Sequence, residues 1–272
     1  MPLYRSLLRV CRGDVLYCAA QLTSATCLQS FILHNTEVVT EHLTPEIKLL
    51  LLTPRCKYWH LRPEHWPYGD PYWAIYWPGG QALARFFLDN PDVVRRRGVL
   101  DLGSGCGAVS IAAKMGGASY VVANDIDPVA GAAFALNCQL NGIDNLPFIP
   151  ENVIGEDAHR WDVIGEDARR WDVIGEDARR WDVIALGDMF YDEQLADSLR
   201  LWLGRCVERH GTAVLIGDPG RGHFLGHPIQ KELRKVAEYS LPESSKKENY
   251  GLSTSAVWRY EPRSSPPERD HH

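Results

Sequence analysis

The chain has 272 residues and a formal net charge of −6. This length suits one large α/β domain with extensions, or two small domains. The acidic balance excludes a general phosphate-binding surface, so no nucleic-acid partner is predicted. No apolar run reaches the roughly 18 residues that cross a bilayer, so no membrane insertion is predicted.

Seven cysteines are scattered along the chain, and none forms a C-x-x-C pair. The odd number and the scatter indicate reduced thiols in a reducing compartment rather than a disulfide framework. The terminal His271 and His272 are better explained as part of a solvated tail, predicted to be disordered over 263–272. We therefore predict no metal site.

Residues 1–30 contain Arg5, Arg9 and Arg12 between leucines, and only one acidic residue. An arginine-bearing, acid-poor leader is typical of mitochondrial targeting segments, which predicts a matrix protein. A frayed N-terminus is the alternative.

An aromatic-rich stretch over 31–79 is expected to be an N-terminal extension that packs on a catalytic domain. Most of its rings should serve packing. Trp77 is a candidate cofactor-site residue because it directly precedes Pro78-Gly-Gly and a helix predicted over 81–89. There its ring could stack on adenine or face a cation.

Residues 98–107 read GVLDLGSGCG and predict a strand, a glycine loop and a helix. Glycines at 103 and 105 let the backbone pass close under a ligand. The following helix directs its unpaired N–H groups to the same place. Gly103 and Gly105 are therefore candidate cofactor-binding residues.

Two cofactor classes use such a loop, and a purely structural glycine turn is a third reading. The spacing also satisfies the dinucleotide pattern, with Asp125 about 20 residues on as ribose acceptor. Asp101 favours S-adenosylmethionine (SAM) over NAD, since a carboxylate there can receive an ammonium group but would repel a pyrophosphate.

A second strand predicted over 120–124 ends in Asp125, at the edge where open α/β sheets bind ligands. Asp125 can accept both ribose hydroxyls of the cofactor. Asp127 precedes Pro128 and is expected to cap the next helix.

Residues 153–182 consist of three copies of one decamer, VIGEDA(H/R)RWD. Three copies cannot form a domain, and the period matches neither a helix nor the usual solenoid repeats. Tandem duplication is the expected origin, with about 20 residues inserted. Trp181 and Asp182 of the third copy should lead into the next strand, whereas the earlier copies should loop out.

The strand predicted over 183–187 ends in Gly187-Asp188-Met-Phe-Tyr191, again at a ligand-binding edge. Asp188 and Tyr191 form a candidate polar pair on the catalytic face; helix capping by Asp188 and packing by Tyr191 is the alternative. A strand over 213–217, a helix around 229–237 and closing segments near Tyr239 and over 256–260 complete the pattern.

These motifs together resemble the seven-β-strand protein lysine methyltransferases. The likeness rests on DLGSGCG at 101–107, the strand-end Asp125, residues 70–80 and GDMFY at 187–191, and spans roughly 35–262. It is strongest for the mitochondrial members that modify the beta subunit of the electron transfer flavoprotein.

The resemblance implies a doubly wound, mostly parallel seven-stranded sheet over 80–262, with the Rossmann-like fold of class I SAM-dependent methyltransferases. It implies SAM as cofactor and trimethylation of lysines near the flavoprotein's partner-docking loop. It also implies an acid-x-x-aromatic active-site motif, here Asp188 and Tyr191, and Gly187 beside the cofactor. The alternatives are a methyltransferase for another mitochondrial protein or a small molecule, and a non-catalytic SAM-binding chaperone or docking protein.

Overall fold

A seven-stranded mixed sheet forms the centre of the computed structural model, which describes residues 25–62, 65–144, 146–155, 181–249 and 251–262. Its strand order is β5-β4-β3-β6-β7-β9-β8, parallel except where β9 pairs with β7 and β8. The strands are β3 (Gly98–Leu102), β4 (Tyr120–Asn124), β5 (Phe148–Ile149), β6 (Val183–Gly187), β7 (Ala213–Asp218), β8 (Leu233–Ser240) and β9 (Thr254–Tyr260). This confirms the predicted mostly parallel seven-stranded sheet.

Helices cover both faces of the sheet. The helices of the described chain are α1 (Ala25–Asn35), α2 (Pro78–Asp89), α3 (Ala108–Met115), α4 (Pro128–Leu140), α5 (Glu193–His210), α6 (Gly222–Leu225) and α7 (Glu243–Glu248), of which α1 packs on α4 rather than on the sheet. Alternate strand residues divide the core: Val99 and Leu215 pack with α2 and α3, whereas Leu100 and Ile216 pack with α5. In the described part of the chain, no helix is both long and apolar enough to span a bilayer.

The C-terminal ends of four parallel strands lie side by side. Leu102 pairs with Asn124 on one side and Leu186 on the other, and Gly187 pairs with Gly217. Side chains that follow these strands therefore meet at one edge, where open α/β sheets place their ligands.

The N-terminal extension is held on α4 by two asparagines one turn apart. It contains α1 and a hairpin of β1 (Glu37–Val39) and β2 (Leu49–Leu51). Asn137 Oδ1 accepts from Leu50 N at 2.8 Å, and Asn141 Oδ1 accepts from Lys48 N at 2.9 Å. Asn137 also donates to the Cys106 carbonyl of the glycine loop, again at 2.8 Å.

Helix α1 crosses the predicted domain boundary at residue 30. Its Leu28, Phe31 and Ile32 belong to the apolar cluster that α4 completes. The packed extension therefore includes residues from Ala25 onward, five residues before the predicted end of the leader. Residues 1–24 and the predicted tail, 263–272, lie outside the described residues.

The structure corrects two predicted helices. Helix α2 begins at Pro78 rather than at residue 81. The helix predicted around 229–237 is wrong, because a short 3₁₀ turn (Pro228–Glu232) leads there into strand β8. A bulge between Lys235 and Ala237 breaks the strand period. Apolar residues at 229, 233, 236 and 237 therefore imitate helical spacing.

The third decamer leads into the sheet as predicted. Trp181 is buried against the Tyr120 ring, with the ring centroids 5.6 Å apart. Asp182 Oδ2 accepts from Gly98 N at 2.8 Å and joins β6 to β3. Val153 and Ile154, the first residues of the first copy, pack into the same core as Trp181. The expectation that earlier copies loop out falls on 156–180, outside the described residues.

Candidate active site

The glycine loop between β3 and α3 carries a backbone that only glycine adopts readily. Gly103 has φ +66°. A Cβ at Gly103 would lie 2.2 Å from the Met189 sulfur, so the loop and the segment after β6 approach closely there. Any larger residue would occupy the space between them.

Asp101 lies beneath this loop and is 1% exposed. Its Oδ2 accepts from the N–H of Ser110 at 2.9 Å and from the Ser110 hydroxyl at 2.7 Å. Burial raises the pKa of Asp101 to about 7, although the Ser110 hydrogen bonds oppose the rise. A carboxyl in this state titrates near neutral pH and gains from a cationic partner.

Asp125 follows β4 and is tied to the glycine loop. Its Oδ2 accepts from Gly105 N at 2.9 Å, and its Oδ1 accepts from Asp127 N at 3.0 Å. Burial raises its pKa, and these hydrogen bonds lower it. The Ile126 N–H is a third donor, so the carboxylate keeps about one acceptor site for a ribose hydroxyl. Asp127 caps α4 as predicted, because its Oδ1 accepts from Val129 N at 2.8 Å.

Asp188 is buried at the end of β6 with φ +55°, a left-handed conformation that costs a non-glycine residue about 1 kcal/mol. Its Oδ2 accepts from the backbone N–H groups of Gly79 and Gly80, at the start of α2. Its Oδ1 accepts from Arg221 Nε at 2.9 Å and Nη2 at 2.7 Å. Burial raises the pKa of Asp188, and Arg221 opposes the rise.

These contacts give Asp188 a structural role beside its predicted place in the active-site motif. A carboxylate has about four acceptor sites, and four N–H groups already use them. The side chain therefore holds the start of α2 and the Arg221 guanidinium at the strand edge. The capping that we considered as the alternative does occur, but on α2 rather than on the following helix. A direct part in methyl transfer stays a prediction.

Gly187 allows a close backbone approach. A Cβ there would lie 2.6 Å from Gly80 N and 2.8 Å from its Cα. The structure thus shows Gly187 packed against the first turn of α2, and a contact with a cofactor stays a prediction.

Trp77 and Tyr72 form a short aromatic strap over the glycine loop. The Trp77 indole N–H donates to the Tyr72 carbonyl at 3.0 Å, and the ring centroids are 6.1 Å apart. The same Tyr72 carbonyl lies beside Gly105, 4.0 Å from where a Cβ would stand. Trp77 is half-buried and faces Arg221, whose Cζ lies 5.3 Å from the ring centroid.

Tyr191 lies at the open side of this site, and its ring is 58% exposed. Partial burial raises the pKa of Tyr191, and the Asp125, Asp192 and Tyr72 side chains add to the rise. Tyr191 therefore lies near both the Asp125 carboxylate and Tyr72. All eight predicted site residues lie on or next to the segments that follow β3, β4 and β6 or begin α2, and their part in a functional site stays a prediction.

Sequence reasoning missed three residues of this site: Tyr72, Ser110 and Arg221. Tyr72 was counted among the packing aromatics, yet it is 62% exposed. Ser110 lies three residues after Gly107, in the first turn of the cofactor-side helix, where a hydroxyl can reach a strand-end acid. Arg221 ends an Asp-Pro-Gly-Arg turn that begins with the last residue of β7. This position at the ligand edge of the sheet could have marked Arg221 as a site residue.

Curated relatives match nearly the whole chain. A Xenopus laevis protein named electron transfer flavoprotein beta subunit lysine methyltransferase is 58% identical over 242 residues, which cover 89% of this chain and 90% of that protein. The chain belongs to the electron transfer flavoprotein beta subunit lysine methyltransferase family. The Homo sapiens protein of the same name is 55% identical, over 86% of this chain and 82% of its own length.

Two broader likenesses accompany this family membership. The family model of ribosomal protein L11 methyltransferase (PrmA) matches residues 82–165. A crystal structure of a ribosomal protein L11 methylase from Lactobacillus delbrueckii subsp. bulgaricus is 19% identical, covers 67% of this chain and 80% of that chain, and has a TM-score of 0.44.

Proposed function

We propose that this chain is a SAM-dependent protein-lysine methyltransferase that trimethylates lysines of the electron transfer flavoprotein beta subunit, near its partner-docking loop. The family relatives carry this substrate in their names. The observation that carries the proposal is the meeting of Asp101, Asp125 and the glycine loop with exposed Tyr72 and Tyr191 at one edge.

The residues present fit SAM. Asp101 offers a buried carboxylate for the ammonium group, and Asp125 keeps an acceptor site for a ribose hydroxyl. A pyrophosphate, which NAD would bring to the glycine loop, is disfavoured by two acidic groups in contact with that loop. When bound, SAM supplies a methyl group on a sulfonium centre.

The protein's task is to present a neutral amine in line with that methyl group. Near pH 7.4 a lysine side chain with an ordinary pKa of about 10.4 is protonated, and neutralising it costs about 4 kcal/mol. Rings at the opening exclude water and lower that pKa. Trp77 and Tyr191 shape the channel, and alignment of the reactants supplies most of the remaining acceleration.

Two substitutions test the cofactor. Asp125→Ala removes the proposed ribose acceptor, and Gly103→Arg fills the space beside Met189. We expect each to abolish SAM binding in calorimetry while circular dichroism stays native. Binding of NAD in place of SAM would contradict the cofactor assignment.

The substrate is tested with labelled SAM and mitochondrial extract. A single labelled band at the flavoprotein beta subunit supports the proposal. A different labelled protein or small molecule indicates the broader methyltransferase, and SAM binding without transfer indicates a chaperone or docking protein.

We also propose that the protein acts in the mitochondrial matrix. The support is the arginine-bearing, acid-poor segment 1–30, since such leaders direct import. A fusion of residues 1–30 to a fluorescent protein should accumulate in mitochondria, and diffuse fluorescence would overturn this assignment.

A further inference from the structure

Arg221 is held by a tight turn at the end of β7. Asp218 Oδ1 accepts from Gly220 N at 2.7 Å and from Arg221 N at 2.8 Å. These bonds fix the backbone immediately before the guanidinium. The Arg221 side chain is only 24% exposed, so its direction is set by the protein rather than by water.

The guanidinium makes two contacts at the same time. Its Nε and Nη2 both donate to Asp188 Oδ1, while its Cζ lies 5.3 Å from the Trp77 ring centroid. A planar guanidinium can donate along its edge and lie against an aromatic ring with its face. A lysine ammonium can keep an ion pair or a cation–π contact, but it cannot stack a planar face on the ring while it donates along its edge to Asp188.

Trp77 is therefore held from two sides. Its indole N–H donates to the Tyr72 carbonyl, and its ring faces Arg221. Tyr72 is exposed at the opening and lies close enough to Tyr191 to raise the pKa of that phenol. Without the stacked Arg221 guanidinium, the hydrogen bond to the Tyr72 carbonyl would be the remaining one of these two contacts on the Trp77 indole.

We infer that Arg221 is a positioning residue that, together with Asp188, fixes the Trp77 ring at the substrate opening and so sets how well the protein substrate is accepted. This rests on the proposed function. Arg221 acts through Trp77 and touches no reacting atom, so its loss should weaken substrate binding more than cofactor binding.

The test is a double-mutant cycle of Arg221→Lys and Trp77→Leu with the purified flavoprotein as substrate. We expect Arg221→Lys to raise KM for the protein substrate about fivefold, because an ammonium that pairs with Asp188 cannot also stack on the indole. The SAM dissociation constant should stay within about a factor of two. In the double variant, KM should equal that of Trp77→Leu alone, because both changes remove one interaction.

Arg200→Lys is the matched control, since Arg200 pairs with Glu232 on the far side of the sheet. It should leave KM at the wild-type value. If the KM increases of Arg221→Lys and Trp77→Leu multiply in the double variant, the inference is overturned. An equal rise of KM in Arg200→Lys would overturn it as well. A wild-type KM in Trp77→Leu would overturn it even if Arg221→Lys failed to fold.

A substrate-free measurement separates this inference from the proposed function. In protein labelled with fluorotryptophan, the Trp77 fluorine resonance is assigned by its loss in Trp77→Phe. It should move in Arg221→Lys and not in Arg200→Lys, and an unmoved resonance would overturn the contact. If the wild type transfers no label to the flavoprotein, the proposed function fails while this measurement still reports on Arg221.

Discussion

Asp188 lies at the predicted ligand-binding edge, and its contacts there hold the start of α2 and Arg221. Asp188→Ala leaves the Arg221 guanidinium and two helix N–H groups without their acceptor, so we expect a loss of about 3 kcal/mol in the free energy of unfolding. SAM affinity and turnover should fall together. Urea denaturation and calorimetry provide the measurement.

Asp192→Ala is the control for this change. Asp192 is an exposed cap of α5 that accepts from Leu195 N at 2.9 Å, and its loss should cost only about 1 kcal/mol. If Asp188→Ala kept full stability and SAM affinity while turnover collapsed, Asp188 would instead act directly in methyl transfer.

Asp101 links stability to pH. Its pKa is about 7 in the folded protein and near the ordinary 3.8 in the unfolded chain. The folded state therefore binds more protons between these values, and the free energy of unfolding should fall as pH rises from about 4 to about 7. Asp218, with a pKa also raised to about 7 by burial, adds to the same fall. Asp101→Asn should reduce the slope measured by denaturation across this range, and an unchanged slope would refute the assignment.

At the scale of elements, Asn137 joins three parts of the chain: α4, strand β2 and the glycine loop. Asn137→Ala leaves the buried Leu50 N–H and Cys106 carbonyl without this partner, which should cost about 3 kcal/mol. SAM affinity should fall as well, because the loop loses an anchor. Asn141→Ala, one turn along and half-buried, makes no contact with the glycine loop in the described bonds, so it should cost about 1 kcal/mol and leave SAM binding unaffected. An equal loss of SAM affinity in the two variants would show that the Asn137 hydrogen bonds do not support the glycine loop.

At the scale of the whole molecule, the decamer repeat can be tested by deletion. Deletion of residues 153–172 leaves the same sequence as deletion of 156–175, since the copies are identical there. A Val-Ile pair therefore still precedes the loop, and Trp181 and Asp182 still lead into β6. Loop closure depends weakly on length, so the inserted copies should cost about 1 kcal/mol or less.

The deletion variant should be at least as stable and as active as the full chain. Removal of 153–162 alone, which leaves two copies, should give a stability and an activity between those of the full chain and of the 20-residue deletion. Thermal unfolding, SAM calorimetry and methyl transfer check this. A variant that unfolds or loses the SAM site would show that the extra copies are structural.

The sequence alone determined the parts whose signals are local. The strand β3, its glycine loop and α3 lie within 20 residues of one another, and Asp127 caps α4 through Val129, two residues away. Asp125 could be predicted because an acid that follows a strand marks the ligand edge of a parallel sheet, and Asp101 because it lies two residues before the first glycine of the loop.

Only the tertiary structure decided the features that depend on distant partners. Asp188 finds its donors at Gly79, 109 residues earlier, and at Arg221, 33 residues later. Strand β8 has a helix-like apolar spacing and becomes a strand because β9 supplies its hydrogen bonds across a bulge. Local patterns cannot encode such partners, since desolvation and pairing act between groups that only the folded chain brings together.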